Sequence, residues 1–583
     1  MPIEDLQSAN SMTWSYEDLD LENEKKLSSE LEISPILARL LSLRHISPAE
    51  ANEYLYPQLK NLADPFLIEN LESAAHRIIQ AFEQKERILV MGDYDVDGIT
   101  STTLIVHILR LFGADPKYIV PRRLDEGYGL SKKAIERGLS LNEKQPNLFI
   151  ALDCGTNSIE EVEYLESKNI DVIIIDHHQK THSSESNAIL VNPHVNNQDP
   201  VSKDFQILST AGLAFKMIHG LVKVLRKANN KTALDLKVRD FLDFSALGTL
   251  ADMVPLKGEN RIITKYGLEG LQDTKQVGLR ALLSVSGIPS SKEINGTDIA
   301  FKICPRINAS GRLADASLPL DMFLSESLSD CHTYAKEVDQ INLERKKIEQ
   351  IIAKKAIEMV DEHYANDSAI VVYHEDWHPG VVGIVASRLC RTYSKPSIVL
   401  GADGSIAQGS GRTIKGVDMV EVLKRCEVHL EKWGGHPLAV GLSLESKNVN
   451  AFRDALITSI EEIYPNGFPP VTLDIDAWIN LDDLGEDLLY EMDLLRPFGQ
   501  ENKEPVFAIK NLQLPFRPKV FSETNFRFQV YTNSGTCFQA IAWRMAEIMP
   551  PHKTPIDIAF KFAWNEWNGR KDPQITLVDW RHS

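Results

Sequence analysis

Short apolar runs alternate with amphipathic stretches from about position 87 onward. ILVMGD, YIVP, NLFIALD and DVIIID are too short for helices and predict strands. TTLIVHILRLF and SIEEVEYLESK, with apolar residues at helical spacing, predict helices between them. Strands that are apolar on both sides and separated by helices imply a doubly wound parallel sheet. Upstream, SPILARLLSLR, SPAEANEYL and LESAAHRIIQAFEQ predict short helices with Ser or Glu near their starts. From Glu326 to Tyr364, apolar Ile341, Ile348, Ile352 and Ile357 amid many charges predict one long linking helix. A second α/β unit starts at SAIVVYH, contains the helix GVVGIVASRLC and the strand SIVLG, and ends near Ser446, with a helix continuing to about Tyr464. Beyond NGFPP, the segments NFRFQVYT, CFQAIAW, IDIAFKFAW and ITLVDW predict a small β-barrel. The expected division is a helical cap (1–80), a doubly wound α/β domain (81–325), a linking helix (326–364), a second α/β domain (365–467) and a β-barrel (468–583).

With 583 residues, 43% of them hydrophobic and 25% charged, the chain has ordinary globular composition and is too long for one core. No apolar run approaches the roughly 20 residues that cross a bilayer. The opening MPIEDLQSAN lacks the features of a secretory signal, and the six cysteines form no CxxC pair, so a reducing, cytoplasmic setting is expected without disulfides or zinc. A net charge of -19 argues against nucleic acid as a whole-chain sum, yet residues 505–583 hold ten Lys/Arg against six Asp/Glu. In that tail Phe516–Arg517, Phe526–Arg527–Phe528 and Trp543–Arg544 set rings beside guanidinium groups. Two readings stand: a stacking platform for single-stranded bases, or the core of the barrel.

The strongest local signal is GDYDVDGIT, directly after the strand RILVM. Read as an extended stretch, Asp93, Asp95 and Asp97 alternate and point to one side, with Gly98 allowing a sharp turn into the next helix. Three like charges so close call for a cation, and hard oxygen ligands suit Mg²⁺ or Mn²⁺. The plain alternative is an acidic turn capping a helix. NLFIALD ends in Asp153, and DVIIID ends in Asp176 followed by His177 and His178. Both would lie at the carboxyl edge of the same sheet, where ligands collect. Asp252 stands in ALGTLADMVPL between a helical pattern and a proline turn. Taken alone it would be a cap or an ion-pair partner, but with the other acids it completes a metal centre.

The set GDYDVDG, LDCG, DHH, GTLADMVPL and RINASGRL resembles the DHH phosphoesterases, and the chain is most similar to their RecJ exonuclease branch. WHPGVVGIVASRL, GSGRT and GGHPLAVGLS look like that branch's second domain, and LLRPFGQENKEPVF looks like the passage into its OB-fold tail. The resemblance implies metal ligation by Asp95, Asp97, Asp153, His177 and Asp252, with Asp93 and His178 in or beside the shell. It puts Asp97, Asp153, His177 and His178 in the catalytic set. Simpler DHH enzymes carry a ligating His four residues before the position of Asp95, where this chain has Met91. Thioether sulfur is a poor ligand for Mn²⁺ or Mg²⁺, so one ion would be held through Asp93 or water. Two ions roughly 3.5–4 Å apart would bridge a phosphodiester oxygen and activate water for in-line displacement. Cys154, beside Asp153, lacks the partner histidine of a thiolate nucleophile and reads as core.

Basic groups are expected to hold the strand: Arg306 and Arg312 in PRINASGRL, Ser410 and Arg412 in GSGRT, and His436 in GGHPLAVG. Arg122, Arg123 and Tyr128 in PRRLDEGYGL are further candidates. The resemblance implies a 5′ to 3′ exonuclease on single-stranded DNA that releases mononucleotides in repair and recombination. The alternative is a DHH phosphodiesterase for short oligoribonucleotides, cyclic dinucleotides or pyrophosphate, in which the basic tail would have no role. A monomer is expected, with a helicase and a single-strand-binding protein as candidate partners and no membrane. The tail is expected to be removable without loss of the metal centre.

Overall fold

Five strands make one parallel sheet, in the order Lys117–Ile119, Ile88–Gly92, Leu148–Leu152, Asp171–Ile175, Ile189–Val191. This is a computed structural model that describes residues 8–10, 12–17, 21–122, 126–127, 129–141, 144–181, 186–195, 203–567 and 570–583. Side chains alternate across the sheet with period two. Ile88, Val90, Ile150 and Ile173 pack on one face with helices Leu71–Glu83, Val96–Leu111, Thr210–Lys227 and Leu242–Ala251. Leu89, Met91, Phe149 and Ile174 pack on the other with helices Lys132–Leu139 and Ile159–Glu166. Covering on both faces explains the uninterrupted apolar runs.

The chain divides into two compact units: Met1–Gly311, Asp315–Val338 and Thr472–Ser583 form one, Arg312–Ala314 and Asp339–Val471 the other. The long helix Leu328–Met359 contributes Cys331, Ala335 and Val338 to the core of the first and Ile352, Ala353 and Ala356 to that of the second. In the second unit Ile370–Tyr373 pairs in parallel with Ser397–Asp403, and three antiparallel strands follow. GSGR and GGH, whose basic groups are expected to hold the substrate strand, fall on two of these, Ile406–Arg412 and Lys432–His436. Gly409 is needed there because a Cβ would lie 2.2 Å from the Val399 carbonyl oxygen.

The tail is a seven-stranded sheet, ordered Ala477–Trp478, Phe507–Leu512, Ile556–Trp567, Arg570–His582, Cys537–Ala542, Asn525–Tyr531, Lys519–Phe521. Its core is shared with the first helices of the chain: Leu27, Leu37, Leu40 and Leu41 pack with Phe507, Phe526 and Phe560. Arg261, 1% exposed, donates to the carbonyls of Tyr54, Leu494 and Leu495 and so ties the helix Gly258–Gln272 to both. The expectation of a removable tail is therefore overturned, since truncation would cut through a common core and strand a buried guanidinium.

Burial sorts the tail's rings. Phe526 and Phe528 are core, whereas Phe516 and Trp543 are 63% and 54% exposed, and Trp543 meets Phe521 edge-on at 5.8 Å. Arg517, Lys519, Arg527 and Arg544 are exposed around them. Phe526→Ala should cost about 3–5 kcal/mol in a denaturant melt, and Phe516→Ala should cost little. Equal losses at both positions would refute this division.

Candidate metal centre

Each central strand of the parallel sheet ends in an aspartate. Asp93, Asp153 and Asp176 follow Gly92, Leu152 and Ile175, and their amides continue the ladder to Leu152, Ile175 and Val191. With Asp97, all are at most 2% exposed. Adjacent parallel strands lie about 4.8 Å apart, so side chains at their tips converge without being near in sequence.

The run from Asp93 to Asp97 is not extended, which corrects the alternation read from sequence. The strand stops at Gly92, Asp95 is the N-cap of helix Val96–Leu111 and accepts from the Gly98 amide (3.1 Å), and Asp97 lies in the first turn. Gly98 supplies room and not a special turn, since a Cβ there would meet the Asp93 carbonyl oxygen at 2.3 Å. Asp93 and Asp95 thus group with Asp153, while Asp97 groups with His177 and Asp252. Asp153, His177 and His178 form a third group, and within each group the ligating atoms lie within 4.8 Å of one another. Shared Asp153 and shared His177 make the three groups one continuous constellation. Asp252 comes from the C-terminal end of helix Leu242–Ala251 and approaches His177 Nε2 at 3.4 Å.

A second ring of contacts aims these groups. Helix Thr210–Lys227 points its N-terminus at the centre: the amides of Thr210 and Ala211 donate to the two Asp97 oxygens at 2.7 and 2.9 Å, and Thr210 Oγ1 donates to Asp153 at 2.9 Å. Free amides at a helix start suit an anionic partner. Gly248 lets the neighbouring helix pass, because a Cβ would sit 2.4 Å from Asp97 Oδ1. Asp176 turns away from the three ligand groups to bind Thr156 N, His177 N and His178 Nδ1, and Asn192 braces Thr156 and the His178 carbonyl. Sequence reading passed over Thr210, Ala211 and Asn192. The Ser-Thr pair of LSTAGLAF, a helix-capping signal before an apolar run, marks the first two.

Electrostatics follow from this packing. Burial, with the charge of Asp95 beside it, pushes Asp97 up to about 7. Burial with Asp97 and Asp95 raises Asp252 to about 8, and burial with the surrounding acids raises Asp153. Burial lowers His177 to about 4, leaving it a neutral donor. The hydrogen bond to Asp176 lifts His178 to about 9. Burial would raise Asp176, but hydrogen bonds from His178 and Thr156 outweigh it and hold it below the usual carboxylate range. Carboxylates that cannot all ionise together, next to a neutral imidazole, are the donor set a divalent cation satisfies. Met91 is wholly buried among Leu89, Phe149 and Ala151. Cys154 is buried too, and burial with nearby Asp93 raises its thiol, which excludes a thiolate.

The expected strand-binding residues are less uniform. Arg306 is nearly buried and donates to the carbonyls of Lys302 (2.5 Å) and Val285 (3.1 Å), so it anchors its helix and is not on offer to a phosphate. Arg312 donates to the Gly380 carbonyl at 2.9 Å. Ser410 and Arg412 project beside Gly383 of helix Pro379–Tyr393, and exposed His436 pairs with Ala439, which pairs with Arg412. That register puts His436 and Arg412 on one face of the sheet. Arg122 is exposed, and Arg123 and Tyr128 lie outside the described residues.

The raised acids set a pH dependence. Without metal, the folded state keeps protons that the unfolded chain releases, so stability falls as pH rises from about 4 to about 8. A Mn²⁺ ion held by these acids would have to displace those protons, so the rise in melting temperature on adding Mn²⁺ should be larger at pH 8 than at pH 6. Thermal melts at both pH values check this, and equal shifts would contradict it.

Three family models match the chain in succession: the DHH family N-terminal domain over residues 87–249, the DHHA1 domain over 366–462 and the RecJ OB domain over 475–579. The single-stranded-DNA-specific exonuclease RecJ of Bacillus subtilis (strain 168) is 34% identical over 579 residues, covering 98% of this chain and 71% of that protein. The Escherichia coli (strain K12) RecJ is 29% identical over 575 residues, covering 94% and 96%. The crystal structure of RecJ in complex with Mn²⁺ from Thermus thermophilus aligns with a TM-score of 0.82 at 26% identity, over 98% of this chain and 80% of that one. With identity above 30% to one relative along nearly its whole length, and three models matched in chain order, this chain belongs to the RecJ family of DHH phosphoesterases.

Proposed function

We propose that this enzyme degrades single-stranded DNA from the 5′ end to mononucleotides by two-metal-ion hydrolysis, in DNA repair and recombination. The observation that carries the reading is the continuity of three ligand groups through Asp153 and His177. Asp93, Asp95 and Asp153 would hold one ion and Asp97, His177 and Asp252 the other, with His178 beside them. Mn²⁺ or Mg²⁺ is the fitting cation for oxygen and imidazole donors, and relatives have been crystallised with each. When bound, such ions supply Lewis-acid activation of water and neutralise charge on the attacking and leaving oxygens.

The chain's own residues do the rest. Amides of Thr210 and Ala211 fix the Asp97 carboxylate, Thr210 Oγ1 fixes Asp153, and Asp176 holds the ring of His178. His178, charged through that contact, would face a phosphate oxygen of the strand. The second α/β domain would grip phosphates through Ser410, Arg412 and His436, with Arg122 and Arg312 as further contacts. The tail would stack bases on its exposed rings. No helix among the described residues is long and apolar enough to cross a membrane. The setting proposed is cytoplasmic, as a monomer working with a helicase and a single-strand-binding protein.

Incubation with end-labelled single strands, duplexes and short oligonucleotides, with Mn²⁺, Mg²⁺ or chelator, tests the reading. Release of mononucleotides only from single strands, from the 5′ end and only with metal, is expected. Turnover confined to dinucleotides would instead favour the short-substrate alternative. Asp97→Ala and Asp153→Ala should each lose more activity than the 10–100-fold typical of an outer-shell change, with circular dichroism unchanged. Activity retained in both would end the two-metal reading. Arg412→Ala should weaken strand binding and lower the salt slope by about 0.7. A slope identical to the wild type's would remove Arg412 from the interface.

A further inference from the structure

The motif LLRPFGQENKEPVF has no part in the chemistry described so far, yet the turn within it abuts the loop that carries Asp252. The chain reverses right after Asp252, where Met253 takes a left-handed conformation (φ 57°). Pro255 then restricts the backbone, and three residues on from Met253 Leu256 is wholly enclosed (1% exposed). Leu256 is held from the turn. Its amide donates to the Gln500 carbonyl at 2.9 Å, and Gly499 packs on it so closely that a Cβ would meet Leu256 Cδ1 at 2.6 Å.

The turn is itself over-determined. Gly499 and Asn502 exchange backbone hydrogen bonds of 2.9 and 3.2 Å. The Asn502 side chain, fully buried, donates to the carbonyls of Leu495 and Pro497 and accepts from Tyr54 Oη and Arg44 Nε. On the other side of the loop, Asn260 donates to the Pro255 carbonyl at 3.0 Å and also to the Ile207 carbonyl, three residues before Thr210. A continuous set of buried and partly buried hydrogen bonds therefore runs from the turn, through the Asp252 loop, to the segment leading into the helix start that holds Asp97 and Asp153.

We infer that the turn at 494–502 is a positioning element of the metal centre: through Leu256 it fixes Asp252, and so sets divalent-cation affinity and turnover without touching metal or substrate. The inference rests on the assignment of Asp252 as a ligand. Only three residues separate Asp252 from Leu256, one of them proline and one left-handed, so little slack remains to absorb a shift.

The test uses the full-length protein. Mn²⁺ titration by calorimetry of Gly499→Ala and of the milder Leu256→Val should show dissociation constants raised about ten-fold, the low end of outer-shell effects. kcat should fall, KM for single-stranded DNA should hold, and excess Mn²⁺ should restore part of the rate. A merely structural role would lower the melting temperature and leave the Mn²⁺ constant and kcat at wild-type values, which overturns the inference. Asp252→Asn separates the two failures: unchanged Mn²⁺ binding there would sink the ligand assignment itself. Linkage is reciprocal, so hydrogen exchange on the wild type gives a readout that depends on no variant. Saturating Mn²⁺ should slow exchange at the amides of Leu256, Gly499 and Asn502, and unchanged exchange would likewise overturn the inference.

Discussion

Carboxylates crowded at the tips of adjacent strands repel one another, and the first unit of this molecule is organised to hold them in place. Asp93, Asp153 and Asp176 arrive by sheet geometry alone, Asp95 and Asp97 as the cap and first turn of the next helix, and Asp252 from a separate helix end. Backbone amides at the start of helix Thr210–Lys227 and the His178 ring meet part of the charge. The remainder, with burial, pushes the pKa values of Asp97, Asp153 and Asp252 upward and so favours protons on them. Burial makes the centre costly to form without metal and strong once metal is bound, because the same low dielectric that penalises unpaired charge amplifies paired charge.

Histidines at consecutive positions receive opposite treatment. His177 is kept neutral by burial, as a ligand must be, while His178 is kept protonated by Asp176. One buried carboxylate thus helps separate a neutral imidazole from a cationic neighbour, and the residue responsible is the first letter of the DHH motif. That motif contributes a brace, a neutral ring and a charged ring rather than three equivalent groups.

Distant segments are joined more tightly than the linear order suggests. Helices near the start of the chain share their core with the last strands, and Arg261 and Asn502 stitch both to the loop bearing Asp252. The tail also divides its aromatics by burial, so that Phe526 and Phe528 support the sheet while Phe516 and Trp543, surrounded by Lys and Arg, remain exposed. One sheet thus carries both a stabilising aromatic core and an exposed aromatic surface, built from rings ten or more residues apart.

Several features are legible in the residues themselves. Runs such as NLFIALD and DVIIID announce buried parallel strands, and the rule that such strands end at a common edge brings Asp153 and Asp176 together before any coordinates exist. The order of motifs carries the family. What periodicity could not decide is where a strand stops: GDYDVDG read as extended places Asp97 with Asp93, whereas the helix beginning at Val96 moves it to the group of His177 and Asp252. Nor could it distinguish a buried arginine that meets carbonyls of its own neighbourhood, Arg306, from a half-buried one at the end of a glycine-rich strand, Arg412, or a core ring from an exposed one. The glycines of GSGRT, which pattern alone leaves unassigned, admit the neighbouring strands. Local pattern reports which groups are present and which face they take along one element. Their pairing, burial and charge state depend on elements hundreds of residues away, and only tertiary packing sets the dielectric and the partners that decide them.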